Sequence, residues 1–170
     1  MAVSIRKARL SDVKAICRVK KAAADDLTAR HGKGHWSGIN IANVLKRVMQ
    51  GDTLYVAEID SGLTLIGTFT LDRVMPYFYD RKWFGKVGVN ELCTVRSMAI
   101  DPAHQKKGYG REIMKNIELL ARRNRLKSIR LDAYQGPAGA GGFYEKCGYK
   151  KVHKGKFRKI ELEYFEKVLG

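Results

Sequence analysis

The sequence predicts an α/β fold in a single domain, residues 1–170, and three observations carry that expectation. Runs rich in β-branched and aromatic residues alternate with segments of helical periodicity rather than collecting in separate halves. At 170 residues and 45% hydrophobic, the chain can bury one good core and has no room for two. No internal repeat, low-complexity stretch or linker interrupts the order.

Taken in order, Val3 to Ala8 reads as a strand. Ser11 or Asp12 caps a helix in which Val13, Ile16, Lys20 (by its stem), Ala23 and Leu27 recur at helical spacing. A second helix follows Asn40 through Ile41, Val44, Leu45 and Val48. Thr53 to Ile59 and Leu63 to Leu71 flank Asp60-Ser61-Gly62, which is a hairpin signal. Asp72 to Asn90 is irregular, and Leu92 to Ile100 reads as a strand. Gly108 to Asn124 is the clearest helix, with Ile113, Met114, Ile117, Leu120 and Ala121 on one face. Lys127 to Tyr134 is a further strand, and Tyr149 to His153 and Phe157 to Phe165 are expected to pair about Gly155 as a last hairpin.

Composition removes several classes of function. No apolar run reaches 18 residues, and Met1 to Leu10 carries Arg6, Lys7 and Arg9 with no apolar stretch after them, so neither a membrane span nor a signal peptide is expected. Cys17, Cys93 and Cys147 are odd in number, widely spaced and in apolar contexts, which suits buried reduced thiols in the cytoplasm and no disulfide or metal framework. His31 and His35 have helical ligand spacing, but Gly32 and Gly34 oppose a helix there, so no metal site is expected. Lys and Arg number 33 against 17 acids, a net charge of +16, and residues 104–130 hold nine Lys or Arg opposed only by Glu112 and Glu118. Such an excess attracts polyanions: a phosphorylated cosubstrate, an acidic acceptor, or nucleic acid in incidental contact. Lys150 to Lys159 adds six cations and no acid, in the alternation of a solvated edge hairpin.

The chemistry concentrates at residues 95–111, where a strand, a glycine-bearing turn and a helix start follow one another. Gly108 and Gly110 let backbone approach a ligand, the first amides of the following helix have no intrahelical acceptor, and Lys106, Lys107 and Arg111 gather charge at the same place. A dinucleotide fingerprint would need glycine at 113, where Ile113 stands. A P-loop would need Ser or Thr after Gly32-Lys33, Gly85-Lys86 or Gly155-Lys156, and none has it. What remains, Gln105-x-x-Gly108-x-Gly110 after Met98-Ala99-Ile100-Asp101-Pro102, resembles the pyrophosphate-binding motif of the GNAT superfamily of N-acetyltransferases. A second stretch in the right order, Ile129 to Tyr134, Gly136 to Gly142, then Phe143-Tyr144-Glu145-Lys146-Cys147-Gly148-Tyr149, resembles the family's strand, short helix and closing aromatic signature.

The resemblance implies a mixed, mostly antiparallel twisted sheet, splayed near its middle, with helices on both faces and acetyl-coenzyme A as cosubstrate. It implies that the turn Gln105, Lys106, Lys107, Gly108, Tyr109, Gly110 and Arg111 holds the pyrophosphate, and that backbone groups of Met98, Ala99 and Ile100 pair with the pantetheine arm. Tyr144, at the tyrosine position of the Phe-Tyr pair, is the expected general acid toward the departing thiolate. An amine with a pKa near 10.4 must lose its proton before it attacks. The glutamate that relatives often use as base falls on Thr94, which cannot serve, and Glu91, Asp72, Asp132 and a water relay remain. Pro137 stands where many relatives carry a pantetheine-binding asparagine, and Gly139, Gly141 and Gly142 weaken the next helix.

Acceptor choice is expected to come from His31 to Trp36 and from the aromatics Tyr77, Phe78, Tyr79, Trp83 and Phe84, five of the chain's 16, read as half core cover and half pocket. The reading is therefore an acetyl-coenzyme A-dependent N-acetyltransferase acting directly on a primary amine of a small molecule or peptide. A basic nucleic-acid-associated protein and a non-catalytic coenzyme A-binding domain are the alternatives. Nucleic acid is not expected beyond non-specific contact, and a homodimer is left open.

Overall fold

A computed structural model describes residues 2–32, 40–51 and 53–170. The fold is mixed α/β, with seven strands hydrogen-bonded in the order β1-β2-β3-β4-β5-β7-β6 and mostly antiparallel. The strands are β1 Ser4–Lys7, β2 Leu54–Ile59, β3 Thr64–Asp72, β4 Leu92–Ile100, β5 Ser128–Tyr134, β6 Lys150–Phe157 and β7 Ile160–Val168. The helices are α1 Val13–His31, α2 Ile41–Met49, α3 Tyr109–Arg123 and α4 Gly141–Lys146. The chain divides into two compact units, Met1–Leu71 with Ser97–Ile117 and Asp72–Arg96 with Glu118–Gly170.

In the first unit β1, β2 and β3 form an antiparallel meander, with Ile5 opposite Ala57 and Val56 opposite Thr68. Alternation along β2 and helical spacing along α1 turn Leu54, Val56, Val13 and Ile16 into one cluster, joined by Val44 of α2. Full burial of each such side chain stabilises by about 1.5–3 kcal/mol. The buried face of α1 is Val13, Ile16, Val19 and Ala24, and the expected Lys20, Ala23 and Leu27 lie half-buried beside it. Desolvation lowers the Lys20 ammonium pKa.

The entry to α1 is fixed by charge. Asp12 Oδ2 accepts from the Arg9 amide at 2.7 Å, and the Arg6 guanidinium takes Asp12 in a fork of 2.7 and 3.0 Å while its Nε donates to Glu58 Oε2 at 3.1 Å. The hydrogen bond from Arg6 leads in holding the Asp12 carboxyl below its ordinary value. At α2, Asn40 Oδ1 caps the Ala42 amide at 2.8 Å. Asn40→Ala is expected to cost about 1 kcal/mol, a fall of roughly 3 °C in Tm by scanning calorimetry. An unchanged Tm would show that the cap contributes nothing.

In the second unit β5 pairs antiparallel with β7, and β7 with β6, which is the terminal strand of the order. The last hairpin does not turn at Gly155. Gly155 lies inside β6 opposite Leu162, and the chain reverses at Arg158-Lys159, with Arg158 in the left-handed region at φ 56°. A glycine within a strand pattern invites reading as the turn, whereas the actual turn is formed by two long cationic residues. Beneath the hairpin Tyr79, Phe84, Leu162 and Tyr164 form a second cluster, with Met75, Phe78, Trp83 and Phe157 packed on it.

Candidate active site

The turn between β4 and α3 is built by Asp101. Its Oδ1 accepts from the Ala103 amide at 3.0 Å, its Oδ2 receives Arg18 Nη1 at 2.8 Å, and its own amide donates to Ile66 O at 2.8 Å. A short 3-10 turn, Pro102–His104, comes next, and Gln105 closes it by donating from Nε2 to Ile100 O at 2.9 Å. Gln105 thereby ties the turn to the end of the strand. Lys106 and Gly108 are both left-handed, at φ 60° and 85°. Left-handed residues so spaced make backbone amides converge into an anion-binding concavity, and a lysine held there stores strain of about 1–2 kcal/mol.

Helix α3 begins at Tyr109, and the first bonds of its leading turn run from the Arg111 and Glu112 amides to Gly108 O, at 3.1 and 3.3 Å. The amides ahead of these have no intrahelical acceptor, and the positive end of the helix dipole lies behind them. A Cβ built on Gly108 meets nothing within 4 Å, so the space beside it is open, and Lys106, Lys107 and Arg111 are exposed around it. Open space, convergent donors and free cations together fit a diphosphate.

Strand β4 changes character along its length. Leu92 to Val95 are buried, Arg96 and Ser97 are both exposed, and Ser97 has φ 50°, a left-handed residue inside a strand. Such a residue breaks the pleat and re-aims the side chains after it. The parallel ladder between β4 and β5 ends at the Val95–Leu131 pair. Of the three residues expected to offer backbone to a pantetheine arm, Ile100 already gives its carbonyl to Gln105, and the Ala99 carbonyl sits 3.1 Å from where a Cβ on Gly67 of β3 would lie. Met98 is half-buried beside them.

Tyr144 lies on α4 in the second unit, 7% exposed, between the rings of Phe143, Tyr149 and Phe165 at 5.2, 6.1 and 5.9 Å. Burial, then electrostatic repulsion from Asp132 and from Cys147, push its phenol pKa well up. The hydroxyl is therefore protonated at any physiological pH. Of the neighbouring glycines Gly139 is a packing necessity, since a Cβ there would fall 1.7 Å from Tyr134 O, whereas one on Gly141 would fall 2.6 Å from Glu163 Oε2, the end of a flexible side chain, and one on Gly142 meets nothing within 4 Å. Read from sequence as helix weakeners, Gly141 and Gly142 do open the six-residue α4, and Gly139 marks where the chain passes close to β5.

The candidate bases separate clearly. Glu91 accepts from the Gly88 amide at 2.9 Å and pairs with Lys127 Nζ at 2.5 Å, and that lysine leads in holding its carboxyl low. Asp72 receives Arg96 Nη1 at 3.0 Å. Asp132, half-buried on β5, accepts a hydrogen bond from the Tyr79 hydroxyl, and its charge is felt at Tyr144. Thr94 is buried and donates to Val74 O at 3.1 Å. Sequence reading missed Tyr79 as the partner of Asp132, since nothing in a loop tyrosine signals which strand it will reach. It also counted Arg130 in the excess charge that attracts polyanions, whereas Arg130 is 2% exposed and bonded to Glu166.

Of the acceptor segments, residues 33–39 lie outside those described, so the His31–Trp36 expectation rests there untouched. In the aromatic segment Tyr79 and Phe84 are core and Tyr77 is exposed. None of Cys17, Cys93 and Cys147 is in a disulfide, and burial pushes the Cys93 thiol up to about 12.

Comparison with known proteins gives a consistent result. The family model of the acetyltransferase (GNAT) domain matches residues 50–151. No curated protein matches the sequence. Among solved structures, AAC(6')-Ib in complex with ribostamycin and coenzyme A superposes with TM-score 0.73 at 14% identity, over 99% of this chain and 94% of that one. A GNAT-family acetyltransferase from Listeria monocytogenes gives 0.72 at 19% identity, over 98% and 95%. The PaiA N-acetyltransferase from Thermoplasma acidophilum, in complex with coenzyme A, gives 0.71 at 17% identity, over 99% and 100%. At these identities the likeness is one of fold.

Proposed function

The chain belongs to the GNAT family of acetyltransferases, and from that premise we propose that it is an N-acetyltransferase that moves the acetyl group of acetyl-coenzyme A to a primary amine of a small molecule or peptide, by direct attack with both substrates bound. The observation that carries the donor assignment is the left-handed pair Lys106 and Gly108 at the start of α3, beside open space. Gln105 fixes that turn, the amides of residues 106–110 receive the diphosphate, and Lys106, Lys107 and Arg111 neutralise it. Bound there, acetyl-coenzyme A supplies an acetyl group activated as a thioester.

Tyr144 acts as the acid. Because its pKa lies above that of a thiol, giving up the proton early is uphill, so donation toward the sulfur accompanies cleavage of the carbon–sulfur bond. The proton that the amine releases on becoming an amide restores the phenol, and the balance closes with no outside acid. Of the candidate bases Glu91, Asp72, Asp132 and a water relay, we favour Asp132, which Tyr79 orients, for drawing the proton from the acceptor ammonium. The +16 charge opposes a polycationic acceptor and favours an amine that also carries acidic groups. We read the chain as a single domain, since β4 and α3 each have residues in both compact units. No described helix is long and apolar enough to cross a membrane, and a cytoplasmic site is the proposed location.

The direct test is thiol release from acetyl-coenzyme A over a panel of amines and peptides. Release that depends on a primary amine supports the reading, and hydrolysis alone defeats it. Tyr144→Phe is expected to lower kcat roughly a hundredfold with little change in KM for acetyl-coenzyme A. An unchanged kcat would remove Tyr144 as the acid.

A further inference from the structure

We propose that the second unit carries a binding surface for single-stranded nucleic acid, formed by Tyr77 and Phe78, the Arg81–Trp83 turn and the end of β6. The proposal does not depend on acetyl transfer, takes Tyr77, Phe78 and Trp83 from the aromatics that sequence alone assigned to acceptor choice, and goes beyond the incidental contact that composition predicts. Its first support is an aromatic platform held rigidly at the surface. Tyr77 is 82% exposed, yet its ring is seated edge-on against Phe78 at 5.6 Å and Phe157 at 5.7 Å. Phe78 and Phe157 stack beneath it, 4.1 Å apart and 21° from parallel. An exposed ring that is already ordered loses little conformational freedom when a base stacks on it.

Charge is the second support. The Arg158 guanidinium lies over Phe157 at 5.4 Å, and Trp83 stacks on His153 at 3.9 Å and 9°, which brings the Arg81–Trp83 turn onto the same strand. Arg81, Lys82, Lys156, Arg158 and Lys159 are all exposed, and among the described residues none has a carboxylate within salt-bridge distance. The acids nearby are Asp80, whose Oδ1 is taken by the Lys82 amide at 2.9 Å, and Glu161, opposite Lys156 in the ladder. Farther back on β6, Lys151 and Lys154 are already paired with Glu163, at 2.9 and 3.4 Å. Cations that form no salt bridge among the described residues thus gather at the end of the strand where the exposed ring is, with Glu161 across the ladder from Lys156.

Rings flanked by exposed cations that form no salt bridge suit a ligand that alternates aromatic bases with phosphates. An acidic polypeptide would satisfy the cations and leave Tyr77 with nothing to stack on. A duplex would hide its base faces within its own stack.

The test is fluorescence anisotropy on the full chain with labelled oligo(U) and oligo(dT) of roughly 12 nucleotides, matched duplex, and poly-glutamate as competitor. Tyr77→Ala, which changes no charge, is expected to weaken single-strand binding about tenfold and duplex binding little. Arg158→Glu with Lys159→Glu, both on exposed side chains, is expected to weaken binding and lower the salt dependence by roughly 1.4 logarithmic units per decade of salt. Lys14→Glu, on the exposed face of α1, is expected to leave both unchanged. Equal binding of duplex and single strand, insensitivity to Tyr77→Ala, or displacement by poly-glutamate at equal charge would overturn the proposal.

Discussion

Gly108→Glu is expected to weaken coenzyme A binding in titration calorimetry by a factor of at least about a hundred, while the protein remains folded. Two costs combine at this position. Gly108 has φ 85°, so any side chain there is strained by about 1–2 kcal/mol. The Cβ itself meets nothing within 4 Å, so the strain is not compounded by a clash with the fold. The glutamate carboxylate would instead occupy the open space beside the turn, where the amides ahead of Arg111 and the cations Lys106 and Lys107 are proposed to hold two phosphates. It would satisfy those donors internally and repel the ligand through a Coulomb energy that costs several-fold in affinity for each charge. Gly108→Ala separates the terms: it keeps the strain, lacks the carboxylate, and is expected to weaken binding about tenfold. Retention of wild-type affinity in the glutamate variant would mean that the diphosphate lies elsewhere. An equal loss in both variants would mean that backbone conformation alone matters.

Where local chemistry determines the structure, the sequence is readable. Leu92 to Ile100 can be bounded as a strand because an apolar run ends at Asp101-Pro102, and α3 because four of its five expected apolar positions, Ile113, Met114, Ile117 and Ala121, are indeed buried. The turn from Gln105 to Gly110 can be singled out because left-handed conformations and close approach leave a mark in residue type. The features that cannot be read depend on partners remote in the chain. Arg130 looks like any cation in a basic segment until Glu166, 36 residues on, is placed beside it. Tyr79 reaches Asp132 across 53 residues, and Gly139 is required by the Tyr134 carbonyl, which no spacing rule would suggest. Gly155 misleads because glycine is a local punctuation mark, and here it stands inside β6, where a Cβ would meet the ring of His153, two residues back on the same strand, at 3.2 Å and Tyr164 of β7 at 3.7 Å.

Glu166→Ala is expected to destabilise the protein by about 3–5 kcal/mol, read as a fall in the urea midpoint with an unchanged m-value. Glu166 is 6% exposed and Arg130 is 2% exposed, so neither charge can recover its lost partner's energy from water. Glu166 Oε1 accepts from Arg130 Nε at 3.1 Å and from Ser128 Oγ at 2.7 Å, and its Oε2 accepts from the Gly85 amide at 2.7 Å. Arg130 in turn donates to Gly85 O at 2.8 Å, touches the Met75 sulfur and lies 4.5 Å over the Phe84 ring. The pair thus anchors the irregular stretch from Met75 to Gly85 onto β5 and β7, and removing the carboxylate strands a buried cation, a hydroxyl and an amide at once. Arg130→Met with Glu166→Leu distinguishes the pair's net worth from the penalty of an orphaned charge. That double variant is expected to recover at least half of the loss, because an apolar replacement leaves no charge to desolvate, although Gly85 and Ser128 still lack an acceptor. If the double variant were as unstable as the sum of the two single ones, the pair would be contributing no coupling, and the anchoring of residues 75–85 would have to come from the aromatic cluster alone.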